Sequence, residues 1–168
     1  KKAIYAKFQM SPAAKAKFDT DISRINIVGE ISPNTTGIAP GQTVNSIFVL
    51  QVVLKQRNFQ QSTIAQISKL IDQNMLLILD YGTERKLAIY HTKLIQTDWN
   101  PVDQCIVQLK GLDLDAVWEG FVTQVGGITI QQGNTLEQQI VVDEQRAKLE
   151  KEIARLEKLA RAEKQPKK

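Results

Sequence analysis

The run SIFVLQVVLK, residues 46–55, constrains this chain more than any other stretch. Between its serine and its lysine, Gln51 is the one polar side chain. A strand wetted on one face alternates apolar and polar residues, because successive side chains point to opposite faces. Near-continuous apolarity therefore predicts a strand buried on both faces, as at the centre of an α/β sheet. A polar segment follows, then Ile64, Ile67, Leu70 and Ile71 at helical spacing, with Ser62 or Thr63 as the cap. "NMLLILDYGTERKLAIYHT" reads as a strand over 75–81, a turn at Gly82 and a strand over 86–91. Strand 47–55, helix 63–71 and strand 75–81 thus form a candidate βαβ crossover with two parallel strands. The second hairpin strand makes the sheet mixed.

The flanking segments fill in the rest. Ser11-Pro12 reads as a helix start, and Ala14, Phe18, Ile22 and Ile25 lie on one helical face. A short strand over 25–31 follows, with Gly29 as a bulge position. Residues 32–45 are dense in turn formers and predict a long loop with room for a helical turn. Residues 97–103 form a turn-rich break, and "CIVQL", 105–109, predicts a short edge strand. A helix then starts at Asp113 or Asp115, lines one face with Val117, Phe121 and Val125, and ends at Gly126-Gly127. Thr135 and Gln138 fit a capping box, and no Gly or Pro interrupts the chain from there to 164. Leu149, Ile153, Leu156 and Ala160 step by four, three and four, a coiled-coil seam of about two heptads. Two readings of that seam stay open: it binds a partner, or it lies back on the body. Pro166 and the last lysines read as the frayed helix end, or as a cut within a longer protein. The expected fold is α/β: a mixed sheet of four to five strands with flanking helices over 1–134, then a long charged helix over 135–168 as an interaction arm.

Hydrophobic residues make up 42% of the chain and aromatics 6%, so the core should be mainly Ile, Leu and Val. No apolar run approaches the roughly 20 residues that span a bilayer, so no membrane partner is expected. The single cysteine, Cys105, fits a reducing cytoplasm. With one Cys and one His, no zinc site of those ligands can form within the chain, and no metal or cofactor is expected. Net charge is +4, and most of the excess lies beyond residue 142, which leaves the body nearly neutral.

Lys55 raises the sharpest chemical question. In nucleases of the restriction-endonuclease type, a strand carries an acid, a spacer and a lysine; the acid binds Mg²⁺ and the lysine positions the attacking water. Here Val53 stands where that acid belongs and Gln51 is neutral, with Glu30 as the upstream acid. One acid is too few, so no catalytic residue is assigned. His91 has no recognisable nucleophile or acid beside it, and Cys105 sits in an apolar run as a small hydrophobe. Asp113 and Asp115 are read as capping residues, and no phosphate-cradling glycine motif is present. Trp99 is a loop anchor and Trp118 a core residue. Lys55, Arg57, Arg85, Lys86 and Lys93 are the candidate nucleic-acid contacts, against the alternative of a solvated rim. Leu149, Ile153, Leu156 and Ala160 are the candidate partner contacts.

Four stretches resemble one family together: "KKAIYAKF", "SKLIDQNMLLILDYGTERKLAIYHTKLIQTDW", "LKGLDLDAVWEGFVTQVGG" and "EKEIARLEKLARAEKQPKK". The family is a bacterial and archaeal one of unknown function, whose members are often encoded beside DNA methyltransferases and helicases in restriction-modification or phage-defence clusters. It brings no catalytic motif to carry over. The resemblance implies a non-enzymatic accessory protein of such a system, with a DNA methyltransferase or helicase as partner and DNA as a further contact. The alternative is a nuclease-like enzyme, degenerate at Val53.

Overall fold

The computed structural model describes residues 2–163. The chain divides into two units, Lys1–Gly127 and Ile128–Lys168. In the first, the apolar run becomes β2 (Ile47–Leu54), flanked by β1 (Ile22–Ile31) and β3 (Asn74–Tyr81). The sheet runs β1-β2-β3-β4-β5, with β4 (Glu84–His91), β5 (Lys93–Gln96) and a two-residue β6 (Asn100–Pro101) that also pairs with β4. β2 and β3 are parallel and the other pairs antiparallel, so the sheet is mixed.

Strand pairing separates the two faces. Ile25, Val52 and Leu79 lie in register, as do Ile27, Leu50 and Leu77, and this face carries one hydrophobic core, with Ile27 left exposed on the edge strand. Helices α1 (Lys2–Phe8), α2 (Pro12–Asp21) and α4 (Gln61–Leu70) cover it, placing Met10, Phe18, Ile64 and Ile67 against Leu50, Val52, Leu77 and Leu79. A short α3 (Pro33–Thr36) is the helical turn anticipated in the long loop. On the opposite face, α5 (Leu114–Gly126) packs on β4 and β5, with Val117, Trp118, Phe121, Val122 and Val125 buried.

The expectation that β2 is buried on both faces holds in part. On one face Leu50, Val52 and Leu54 are buried and Phe48 half-buried, and on the other Ile47 is buried while Val49, Gln51 and Val53 are half-buried. Gln51 belongs to a polar ladder that uses this second face. β2 is internal but lies next to the edge strand β1, and β3 holds the centre.

Local signals folded as their chemistry dictates. The Ser11 hydroxyl accepts from Ala14 N at 3.2 Å, with Pro12 in the first turn. The helix stops at Asp21, however, and Ile22 and Ile25 belong to β1. The register of β1 slips between Ile27 and Gly29, the expected bulge, and again between Ile22 and Arg24. Asp113 caps α5 by accepting from Ala116 N at 2.8 Å, and Gly127 ends it at φ 59°.

One strand expectation is corrected. Residues 105–109 are not a strand. Thr92, at φ 61°, reverses the chain at once after β4, so Lys93 pairs with His91 and β5 takes the outer edge of β4. β6 takes the remaining positions at Glu84 and Arg85. No stretch of that edge is left for CIVQL.

In the second unit, the capping box forms as spaced: Gln138 N donates to Thr135 Oγ1 at 3.2 Å and Thr135 N to Gln138 Oε1 at 2.9 Å. The long helix α6 (Leu136–Glu163) follows. Buried Gln139 accepts from Gln131 N and Asn134 Nδ2 and donates to Asp143 Oδ1, fixing the preceding turn to the first helical turns. The expectation for Pro166 and the terminal lysines lies outside the described residues.

Candidate functional site

Lys55 follows directly on the end of β2, and its surroundings are occupied by the chain itself. Its backbone N–H donates to Asp21 O at 2.8 Å, and its ammonium donates to Asp19 O. Asp21 is 1% exposed. Its carboxylate accepts from Gln56 Nε2 at 2.6 Å, Gln60 N at 3.0 Å and Thr63 Oγ1 at 3.1 Å. Those last two contacts cap α4, whose own N-cap residue, Gln60, makes no side-chain cap. A helix N-terminus attracts anions because its first N–H groups are unpaired. Here a carboxylate from the last residue of α2 fills that place. Thr63 takes part as a donor to Asp21, which replaces the expected Ser62 or Thr63 cap.

Glu30 is not the acid beside Lys55. It pairs with Phe48, near the start of β2, roughly 20 Å back along the strand from Lys55. The neighbouring strand instead sets Asp80 in register with Val53. Asp80 ends a ladder across four strands. Asn26 Nδ2 donates to Gln51 Oε1 at 3.2 Å, and Gln51 Nε2 to Asp80 Oδ2 at 2.7 Å. Arg85 closes the ladder as a fork, Nε to Oδ1 at 2.6 Å and Nη2 to Oδ2 at 3.0 Å. Burial pushes the Asp80 carboxyl up, but the Arg85 and Gln51 hydrogen bonds outweigh it and hold the group below its ordinary value.

Around Trp99 the geometry is aromatic and cationic. Its ring meets Phe59 and Tyr81 edge-on, each with centroids 6.4 Å apart. Arg57 Cζ and Lys86 Nζ each lie 5.5 Å from its centroid. Arg57 also forks Glu84, Nε to Oε2 at 2.8 Å and Nη2 to Oε1 at 3.1 Å. That hydrogen bond raises the guanidinium and lowers the carboxyl from their ordinary values.

Of the five candidate nucleic-acid contacts, Arg57 and Lys86 therefore meet on Trp99, and Arg85 lies one residue from Lys86, locked to Asp80. Lys55 belongs to the same end of the sheet as Arg57. Lys93 does not join them: it pairs with His91 at the far end of β4. Two of the three cations nearest Trp99 carry a carboxylate partner, so this end of the sheet is close to neutral. A phosphate would have to compete with Glu84 and Asp80 for the guanidinium donors.

The other singled-out residues have structural partners. His91 Nδ1 accepts from Trp118 Nε1 at 3.1 Å. The Cys105 thiol donates to Arg85 O at 3.2 Å, and burial pushes the thiol above its ordinary value, which disfavours the thiolate. Asp115, read as a cap, does something sequence spacing does not disclose. Its carboxylate accepts from Gln42 N at 2.7 Å, Thr43 N and Oγ1, and Val44 N at 2.8 Å. It thereby binds the long loop to the first turn of α5. A Cβ at Gly41 would strike this carboxylate, so the close approach needs glycine there. A cleft of about 410 Å³ between the end of α4 and Tyr90 is lined by Lys69, Asp72 and Ser68, whose buried hydroxyl has no partner; none of these residues was singled out by sequence.

Among the described residues, no three of His, Cys, Asp and Glu gather as they would around a metal ion. No described helix is long and apolar enough to cross a membrane. On α6, Leu149 is 64% exposed, Ile153 55% and Leu156 52%, and Ala160 is exposed with them.

A family model described as Domain of unknown function (DUF4391) matches residues 1–168. No curated protein and no solved structure matches the chain.

Proposed function

We propose, from the premise that the chain belongs to the DUF4391 family, that it is a non-enzymatic accessory protein that binds a partner protein through α6. Lys55 and Lys86 at the end of the sheet make its DNA contacts. The setting is the one the family resemblance implies, a restriction-modification or phage-defence system in the cytoplasm, with a DNA methyltransferase or helicase as partner. The observation that carries this reading is the exposed aliphatic row Leu149, Ile153 and Leu156. Burying each such side chain against a partner recovers about 1.5–3 kcal/mol of hydrophobic free energy. The row has the spacing of a charged coiled-coil arm, too short to pair stably without strong flanking contacts. The sheet domain supports the reading from the other side, because Asp21, Asp80, Arg57 and Arg85 already have hydrogen-bond partners within the chain.

The test uses the full chain with Leu149→Glu and Leu156→Glu together, which keeps helix-forming residues on α6. Capture of the cognate methyltransferase or helicase should be lost while the melting temperature stays put. Full capture by the double variant would move the contact surface off α6. For the DNA contacts, Lys55→Ala with Lys86→Ala should weaken duplex binding.

A nuclease-like enzyme is the second reading, favoured by the placement of Asp80 beside Val53, where the linear spacing lacks an acid. The Arg85 fork on both Asp80 oxygens stands against it. Mg²⁺-dependent plasmid cleavage that disappears in both Asp80→Ala and Lys55→Ala would establish it.

A further inference from the structure

We infer that the exposed strip of α6 is built for an amphipathic partner helix with basic flanks, and not for a second copy of this chain. The inference rests on α6 as the binding arm and adds the charge class of what it binds. Three observations meet on the same helix.

The first is the seam itself. On a seven-residue repeat, Val142, Leu149 and Leu156 share one core position, and Ile153 and Ala160 share the other. From Gln145 to Glu163 every residue is exposed, so the strip is fully accessible. The second is what borders it. Asp143, Glu150 and Glu157 flank the seam on one side, and Gln145, Glu152 and Leu159 on the other. Every charged flank in this stretch is a carboxylate. Lys148, Lys151, Arg155, Lys158 and Arg161 all fall on the far side of the helix. Glu152 does bond Arg155 at 2.8 Å, but both are exposed, and such a pair yields readily to a better partner.

The third is what self-pairing would require. In a parallel pair, each flanking residue faces the one five positions later on the other helix. Glu152 of each copy would then face Glu157 of the other. In an antiparallel pair, like flanks meet, and Asp143, Glu150 and Glu157 would face one another. Arg146 occupies a core position, so in-register parallel copies would also press two guanidinium groups together. Both arrangements place like charges at contact, which is how helices reject a wrong partner. A partner with Lys or Arg at its flanks and a carboxylate opposite Arg146 reverses each repulsion. The far basic face then remains in water.

The test uses the full chain and two synthetic peptides of α6's length. Both carry Ile and Leu at the core positions; one has Lys at every flank, the other Glu. Fluorescence anisotropy should give the Lys peptide an affinity at least about tenfold higher at about 50 mM salt, with the margin shrinking as salt rises. Glu150→Lys, Glu152→Lys and Glu157→Lys together should hand the preference to the Glu peptide. Sedimentation should find the wild type monomeric at micromolar concentration. Equal affinities, no binding of either peptide, a wild-type dimer, or binding of a DNA duplex by α6 in place of the peptides would each overturn the inference. The two readings fail separately. Loss of the partner in Leu149→Glu/Leu156→Glu without peptide discrimination removes this inference and keeps the arm. Peptide discrimination with partner capture intact in that variant keeps the strip and removes α6 from that complex.

Discussion

The carboxylates of the sheet domain and those of α6 are chemically alike and differently placed. Asp21 accepts from residues 35 to 42 positions away, and Asp115 from residues 71 to 73 positions away. Asp80 is held by an arginine and a glutamine from two strands. On α6, Glu150, Glu152 and Glu157 stand exposed on the flanks of an apolar seam. A carboxylate closed upon by distant parts of the chain is part of the fold, because moving it would strand several donors. One left in water beside aliphatic side chains is available to another molecule. The same contrast runs through the hydrophobic residues: Val52 is 0% exposed and Leu149 is 64% exposed.

The largest effect should come from setting those two side by side. Val52→Asp buries an unpaired charge and should cost about 4 kcal/mol or more, enough to unfold the sheet domain. Leu149→Asp should leave the melting temperature nearly unchanged. Equal losses from both, measured by thermal denaturation, would erase the distinction between the regions. Next, Asp21→Ala removes the shared acceptor of buried Thr63 Oγ1 and of Gln60 N and Gln56 Nε2 at the surface beside it. About 2–4 kcal/mol should be lost in urea denaturation, and Asp21→Asn should recover part of it. A neutral result would mean that α4 starts without its remote cap.

A smaller loss, about 1–3 kcal/mol at neutral pH, is expected for Asp80→Asn, which leaves the half-buried Arg85 without its counter-charge. The sign of its pH dependence follows from the lowered Asp80 carboxyl. A depressed folded value means that the stabilisation is complete above the unfolded carboxylate range, near pH 4, and is lost as pH falls through the folded value. The gap between wild type and Asp80→Asn should therefore close on acidification below about pH 4. A gap that persists unchanged to about pH 2 would show that the fork adds no charge-dependent stability. The smallest effect belongs to Glu152→Gln, which should leave melting unchanged because its one ion pair is exposed. A clear drop there would place α6's charges among the fold's own contacts.

Much of the architecture was legible in the sequence because its causes are local. Ser11, Asp113, Gly127 and the Thr135–Gln138 box each act within four residues, and Gly82 turns a hairpin whose strands are its neighbours. The apolar run 47–54 and its crossover to β3 were legible because burial leaves an unbroken hydrophobic signature. The strand expected at 105–109 failed because its composition suits a strand, whereas pairing needs a free edge. Thr92 had already turned β5 onto that edge.

The sequence by itself determined helices α2, α4, α5 and α6 in outline, the caps of α2, α5 and α6, the parallel β2–β3 pair and the spacing of charges on α6, since all of these depend on near neighbours and periodicity. Only the tertiary structure decided that Asp21 caps a helix 40 residues downstream, that Asp115 anchors a loop more than 70 residues upstream, and that Asp80 rather than Glu30 stands beside the strand end at Val53. A carboxylate has no preferred partner along the chain. Which donors reach it depends on which segments the packing of the core brings together.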